Sequence, residues 1–427
     1  MDSVDLAQQA QPLIDGGVAP TLAIGVFDGQ TTHRFAHGAS ADALFEIGSI
    51  TKVFTGTLLA DIAREGLVDL DDPVSRCLPA SVRVPEFGDR VITLRHLATH
   101  TSGLPRMPDN FAPADPADPY ADYTADRLHA FLAGHTLRRA PGELPEYSNL
   151  GFMLLGHALA ERTGQSYEAL LRDRITGPLG LNDTVLPRVP LPPALRARVA
   201  KGYNASGNVA PHWTMALPGA GNLLSTVDDL LRFLRANMTA GPSRLAAAMA
   251  DARALHFTMP APAPPARGIG LGWVVGPAGM RLHNGGSAGY VSFAGLDADK
   301  GHAVAALCGT FSMHLDVLGY NLLRTLDGQA PEAPRVPVPV SIDPDLLAAY
   351  AGDYAMPSGA VLAVSARDGG LLVQRNAEEP VRYTPRSETR FFSRLTPVEL
   401  SFGRGADGQV DHLVVYAQPE VRGDRRR

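Results

Sequence analysis

Runs with β character stand at both ends of the first 328 residues of this 427-residue chain, and helical patterns fill the stretch between them. Thr21–Phe27 and Thr31–His37 flank Asp28-Gly29, a tight-turn dipeptide, and read as a hairpin. At the far end, Gly270–Val275, Met280–His283, Gly289–Leu296 and Ala303–Leu307 read as successive strands, followed by a helix over Leu315–Leu326. Strands so far apart share a sheet only if the two ends of the domain meet. The expected class is α+β: an antiparallel sheet flanked by helices in an α/β sandwich, with an all-helical region beside it.

A second, smaller unit follows. Pro331, Pro334, Pro337 and Pro339, with Pro344 just beyond, mark a semi-rigid linker over 329–341. Past it, short β runs recur between turn signals such as Asp368-Gly369-Gly370 and Asp407-Gly408. They predict a small antiparallel barrel over 342–420. Residues 421–427, rich in arginine, read as a flexible tail.

Within the first unit, helices are expected over Leu6–Ile14, Ser49 to about Arg64, Thr93–His100, Thr124–Leu132, Leu150–Thr163 and Tyr167–Ile175, and again after Ser225 and Asp228 as a capping pair. Pro105–Tyr123 reads as a long surface loop of the kind that often carries function. Proline-rich connections interrupt regular structure at Pro187–Pro193 and Phe257–Arg267.

Composition excludes several classes. With 45% hydrophobic and 19% charged residues and a net charge of -6, the chain has an ordinary globular balance and no basic footprint for nucleic acid. Two cysteines, Cys77 and Cys308, make no disulfide framework. No leader and no membrane span is read from the sequence, so a cytoplasmic location without membrane partners is expected.

The chemistry-bearing stretch is Phe45-Glu46-Ile47-Gly48-Ser49-Ile50-Thr51-Lys52. Residues three apart share a helix face, so Ser49 and Lys52 fall together. A serine in the first turn meets the positive end of the helix dipole, and a lysine one turn deeper among apolar neighbours loses its proton readily. That yields a nucleophile and a base. Tyr147-Ser148-Asn149 opens another helix: the phenol, pushed toward phenolate by a lysine ammonium, is a candidate proton relay, and Asn149 a partner for lysine and substrate carbonyl. His283-Asn284-Gly285-Gly286 ends a strand, where two glycines let backbone approach a ligand. The amides of Gly286 and Ser49 make a candidate oxyanion hole.

Helical S-x-x-K, then Y-x-N, then a glycine-rich strand resembles the serine β-lactamase and penicillin-binding protein superfamily, most closely its class C-like branch. His100-Thr101-Ser102-Gly103-Leu104 and Pro141-Gly142 add to the likeness, which spans Val18 to Leu326. The resemblance implies Ser49 as acylated nucleophile, Lys52 as its proton acceptor, Tyr147 as base and acid, and Asn149 as substrate partner. His283 falls where many members carry the lysine of a Lys-Thr-Gly triad, so it is expected as a weaker, pH-dependent cation for a substrate carboxylate. Asn284 and Ser287 are expected to touch substrate. No metal or organic cofactor is implied. The C-terminal unit resembles a lipocalin-like module appended to some relatives.

The resulting expectation is a serine hydrolase or acyltransferase acting on an ester, small peptide or peptidyl donor, free or carrier-bound. A narrower alternative resembles the penicillin-binding-protein-type thioesterases that cyclise nonribosomal peptides; there the Pro105–Tyr123 loop and the C-terminal unit should shape a wide groove. A non-catalytic binding protein that keeps the fold is the third reading.

Other motifs carry less. Gly285-Gly286-Ser287-Ala288-Gly289 matches G-x-S-x-G, but the following residues read as a strand where that motif needs a helix. His96 and His100 have metal-ligand spacing without a third ligand and read as structural. Cys77 and Cys308 read as buried hydrophobes, and Trp213 as packing. Trp273 is expected to border the pocket.

Overall fold

The computed structural model describes residues 3–187, 191–260, 267–330, 336–376, 378–395, 398–416 and 420–426. Strands β1 (Leu22–Phe27) and β2 (Thr32–His37) form the expected hairpin, in which the Asp28 carboxylate accepts from the amides of Gln30 and Thr31. Two-residue strands β3 (Phe45–Glu46) and β4 (Leu224–Ser225) pair beside the nucleophile turn. Then come β5 (Phe257–Thr258), β6 (Gly268–Ile269), β7 (Val274–Val275), β8 (Arg281–Gly286), β9 (Val291–Asp297) and β10 (His302–Cys308). The main sheet runs β2-β1-β10-β9-β8-β7-β6-β5. Every pairing in it is antiparallel, and Leu22 opposite Cys308 is the point where the chain ends meet.

Side-chain alternation divides this sheet between two cores. Leu22, Ile24 and Val26, with Val304 and Ala306, face the Ser3–Asp15 and His314–Leu326 helices. Ala23, Ala303, Ala305 and Leu307 face the larger helical side. There the Thr51–Arg64 helix is buried from Thr51 through Ile62. A helix covered all round has no polar stripe to show, which is why its periodicity is weak. It packs between the Asn149–Thr163 and Arg244–Arg253 helices.

The C-terminal unit is a closed eight-stranded antiparallel barrel from Gly352–Ala355 to Val421–Arg425. Leu347, Tyr350, Phe391, Phe402 and Leu413 fill its interior, with the Tyr350 and Phe402 rings stacked 4.4 Å apart. The barrel is fastened to the catalytic unit. The Arg382 amide donates to the Ala205 carbonyl (2.9 Å), the Ser206 hydroxyl to the Pro380 carbonyl (2.6 Å), and Asn204 to the Glu379 carboxylate (2.8 Å).

Four readings need correction. The tail is not free, because Val421–Arg425 pairs on both sides and closes the barrel. Its inward residue is Gly423, which leaves no hydrophobic alternation to detect. The helix after Ser225 is capped by Thr226, whose hydroxyl accepts from the Asp229 amide, while Ser225 lies in β4. The helix at Thr93 spans only Leu94–Ala98, since His100 takes a left-handed φ of 59°. Regular structure also enters the Pro-Ala stretch as β5, and Gly270–Val275 shrinks to β7. Residues 188–190, 261–266 and 331–335, in the three proline-rich connections, lie outside the described residues.

Candidate active site

Ser49 sits in a short 3-10 turn, Gly48–Ile50, that runs into the Thr51–Arg64 helix. The turn lies directly on β8. A Cβ on Gly285 would run into the Ile47 carbonyl, and one on Gly48, which has φ +47°, would stand 2.6 Å from the Gly286 amide nitrogen. Glycine at both positions is therefore what lets the nucleophile turn touch the strand. The Ser292 hydroxyl clamps the same turn by donating to the Ile47 carbonyl at 2.8 Å.

β8 also offers an unpaired edge. The Ser287 amide donates to the Tyr290 carbonyl, so in the β8–β9 ladder the hydrogen-bonded pairs fall at 287, 285 and 283. The backbone groups of Asn284 and Gly286 then point away from β9. β7 pairs only with Arg281 and Leu282, leaving that edge open. The Gly286 N–H thus faces the cleft beside the amide of Ser49.

Lys52 has no exposed surface. Its Nζ lies 2.9 Å from Ser49 Oγ, 2.9 Å from Asn149 Oδ1 and 2.6 Å from the Ala220 carbonyl. Burial, and then the charge of Arg106, hold its pKa well below the ordinary lysine value. Both effects favour the neutral amine over the ammonium. The amine donates to the Asn149 carboxamide oxygen and the Ala220 carbonyl, and lies within hydrogen-bond distance of the Ser49 hydroxyl.

Tyr147 faces the same hydroxyl, with its ring centroid 5.0 Å from Lys52 Nζ. Burial pushes this phenol above the usual tyrosine value, outweighing Ser49 and Arg106, which act the other way. The sequence reading of a phenolate is reversed, because desolvation keeps the phenol protonated, while the reading of a lysine that gives up its proton readily agrees with its lowered pKa. The tyrosine is held from behind by His100, whose ring lies 4.4 Å away and whose Nδ1 accepts from the Ser148 amide at 3.0 Å. His96 completes a capping box with Thr93. Both histidines are structural, as expected, and the described residues contain no cluster able to hold a metal.

His283 departs from its expected role as a cation. It is 3% exposed, and burial together with Lys52 brings its pKa down to about 4. Its Nδ1–H donates to the Asn284 carbonyl at 2.5 Å. It packs within 6.3 Å of the Tyr147 ring but outside the cleft lining.

The cleft itself is open, about 510 Å³, with Ser49, Tyr147, Asn149, Asn284, Gly286 and Ser287 on its walls. Arg106, Tyr120, Trp213 and Asp316 line the cleft without having been read as site residues from sequence, as do the apolar Val291, Phe311 and Met313. Trp213, not Trp273, borders the pocket; Trp273 is buried in the core. Tyr120 and Trp213 meet with ring centroids 5.3 Å apart. Their segments are joined where Asp118 accepts from the Thr214 amide (2.7 Å) and hydroxyl (2.5 Å). The His212 ring lies 2.8 Å from the buried Glu46 carboxylate. The Pro105–Tyr123 loop shapes the groove as expected, but no described barrel residue lines it.

The sequence profile of the Beta-lactamase family matches residues 6–326. The chain belongs to that family. It is 30% identical over 326 residues to the D-alanyl-D-alanine-carboxypeptidase/endopeptidase AmpH of Escherichia coli (strain K12), covering 70% of this chain and 81% of that one. A class C beta-lactamase superposes with a TM-score of 0.67 at 21% identity, over 77% of this chain and 99% of its own. The octameric penicillin-binding protein homologue from Pyrococcus abyssi also reaches 0.67 at 21% identity, over 99% and 100%, so that likeness of fold extends through the barrel. Residues 336–427 match a family described only as a domain of unknown function. Within this serine hydrolase family the class C-like likeness holds, and the lipocalin-like expectation agrees with a closed eight-stranded barrel. No described helix is long and apolar enough to cross a membrane.

Proposed function

We propose that this chain is a serine hydrolase working through an acyl-enzyme on Ser49, with an ester or small peptide as acyl donor. The observation that carries the reading is the set of three partners around a fully buried Lys52. In its neutral form, which burial favours, the amine keeps Asn149 and Ala220 as acceptors and takes the Ser49 proton, so it serves as the general base. As the Ser49 oxygen attacks the acyl carbon, its proton passes to Lys52. The amides of Ser49 and Gly286 receive the developing oxyanion. Tyr147, neutral at rest, gives its hydroxyl proton to the leaving group and is reprotonated from Lys52. Water then attacks the acyl carbon and gives a proton to Lys52, which returns it to the departing Ser49 oxygen as the acyl-oxygen bond breaks.

Release of cyclised peptide from a carrier is the narrower second reading. It is supported by the open cleft and the long loop beside it, and it differs only in using the substrate's own amine in place of water. Intact mass after exposure to esters, thioesters and a β-lactam tests both. Acylated protein, absent in Ser49→Ala, is the expected result. No adduct with any acyl donor would favour the binding-protein reading, and a cyclic product from a linear peptidyl thioester would favour the second.

A further inference from the structure

A carboxylate-bearing substrate needs a cation in the cleft, and His283, expected from the sequence to supply one, is buried and absent from the cleft lining. Among the cleft-lining residues the one basic side chain is Arg106. It is exposed, and its guanidinium has no hydrogen-bond or ion-pair partner among the described residues. Its backbone is fixed nonetheless. The Arg106 carbonyl accepts from the amides of Asn149 (3.0 Å) and Leu150 (3.3 Å), the first turn of the helix that carries Asn149 toward Lys52. The guanidinium carbon stands 5.1 Å from the centroid of the Tyr147 ring. A planar donor fork left without a partner, on an anchored backbone, at the wall of a catalytic cleft is built to take an anion.

Its place beside Tyr147 sets which end of the substrate it meets. On the acyl-enzyme reading, which this inference rests on, Tyr147 protonates the leaving group, so Arg106 lies on the leaving-group side of Ser49. We propose that Arg106 is a specificity-determining residue that binds a carboxylate on the departing half of the substrate, replacing His283 in that task. The substrate class is then a peptide, ester or thioester whose leaving group ends in a free acid. The same guanidinium charge opposes protonation of Lys52. An anion seated on it cancels that field at the moment the amine must take the serine proton, so carboxylate binding also favours acylation.

The test uses two phenylacetyl thioesters that differ only in the leaving thiol: 3-mercaptopropionate, and its neutral methyl ester. Thiol release gives kcat/KM, and intact mass reports acylated Ser49. The wild-type protein is expected to prefer the acid. In Arg106→Gln the acid-to-ester ratio of kcat/KM should fall by about tenfold or more, the worth of one charge-assisted hydrogen bond, and Arg106→Lys should retain part of it. Equal losses on both substrates, or an unchanged ratio, would overturn the assignment while leaving the acyl-enzyme intact. No thiol release and no adduct with either substrate would overturn the acyl-enzyme reading and Arg106's role together.

Discussion

Lys52 Nζ and Asn149 Oδ1 stand 2.9 Å apart, joining a helix that begins at residue 51 to one that begins at residue 149. The carboxamide stabilises the amine without adding charge. Asn149→Asp puts a carboxylate in its place, and a nearby negative charge favours the ammonium form. Because the proposed mechanism needs a neutral Lys52, the acid limb of the kcat/KM profile should move to higher pH. A limb that stays in place would show that Lys52 is not the group that titrates.

Gly285→Ala tests the contact between β8 and the nucleophile turn. The added methyl meets the Ile47 carbonyl and lies 2.5 Å from Ser292 Oγ, so the turn must lift off the strand. The amides of Ser49 and Gly286 then no longer converge. Loss of an oxyanion donor lowers kcat by about a hundredfold or more. Thermal unfolding and single-turnover acylation separate this effect from global destabilisation.

Asp316 lies in the cleft wall with one carboxylate oxygen bonded by Asn284 at 2.7 Å and the other, Oδ1, buried without a partner. Burial raises its pKa to about 6, from 3.8. A carboxyl raised on folding penalises the native state above its folded pKa, and the penalty fades as pH falls through that value. Asp316→Asn should therefore stabilise the protein at pH 8, by about 2 kcal/mol after allowing for solvent screening, and make little difference at pH 4. Denaturant titrations of both proteins at the two pH values check the sign.

Asp61, 1% exposed, holds Arg174 (2.9 Å) and Arg244 (2.8 Å), tying the Thr51–Arg64 helix to its neighbours. Asp61→Ala leaves Arg174 half-paired in a mostly buried setting and should cost about 3 kcal/mol of stability. Urea unfolding measures it, and Ser49 labelling at low temperature should persist.

The parts of the site legible in the sequence were those set by short-range geometry. Ser49 and Lys52 are three residues apart, and that spacing alone puts them on one face. Tyr147, Asn149 and Gly286 became candidates through motif order, because each arrives from a distant element. Charge states were legible only in part: the apolar neighbours of Lys52 foretold its lowered pKa, but the phenol of Tyr147 suggested a phenolate until its burial was known. Arg106 and Trp213 gave no local signal either; one lies in an irregular loop, the other beside residues typical of packing. In the fold, Ser225 and Thr226 offer equivalent hydroxyls, and only the pairing of β4 with β3 decides which one caps the helix.

The barrel's hold on Asn204, Ala205 and Ser206 has a consequence for how such an enzyme changes over time. Those residues lead into the run that carries Trp213 to the cleft wall, so the appended unit is joined through the backbone to the catalytic mouth. Substitutions in the loop around Glu379 and Pro380 can recut that opening while every reacting group keeps its place. Two chains with identical catalytic residues can therefore diverge in what they admit.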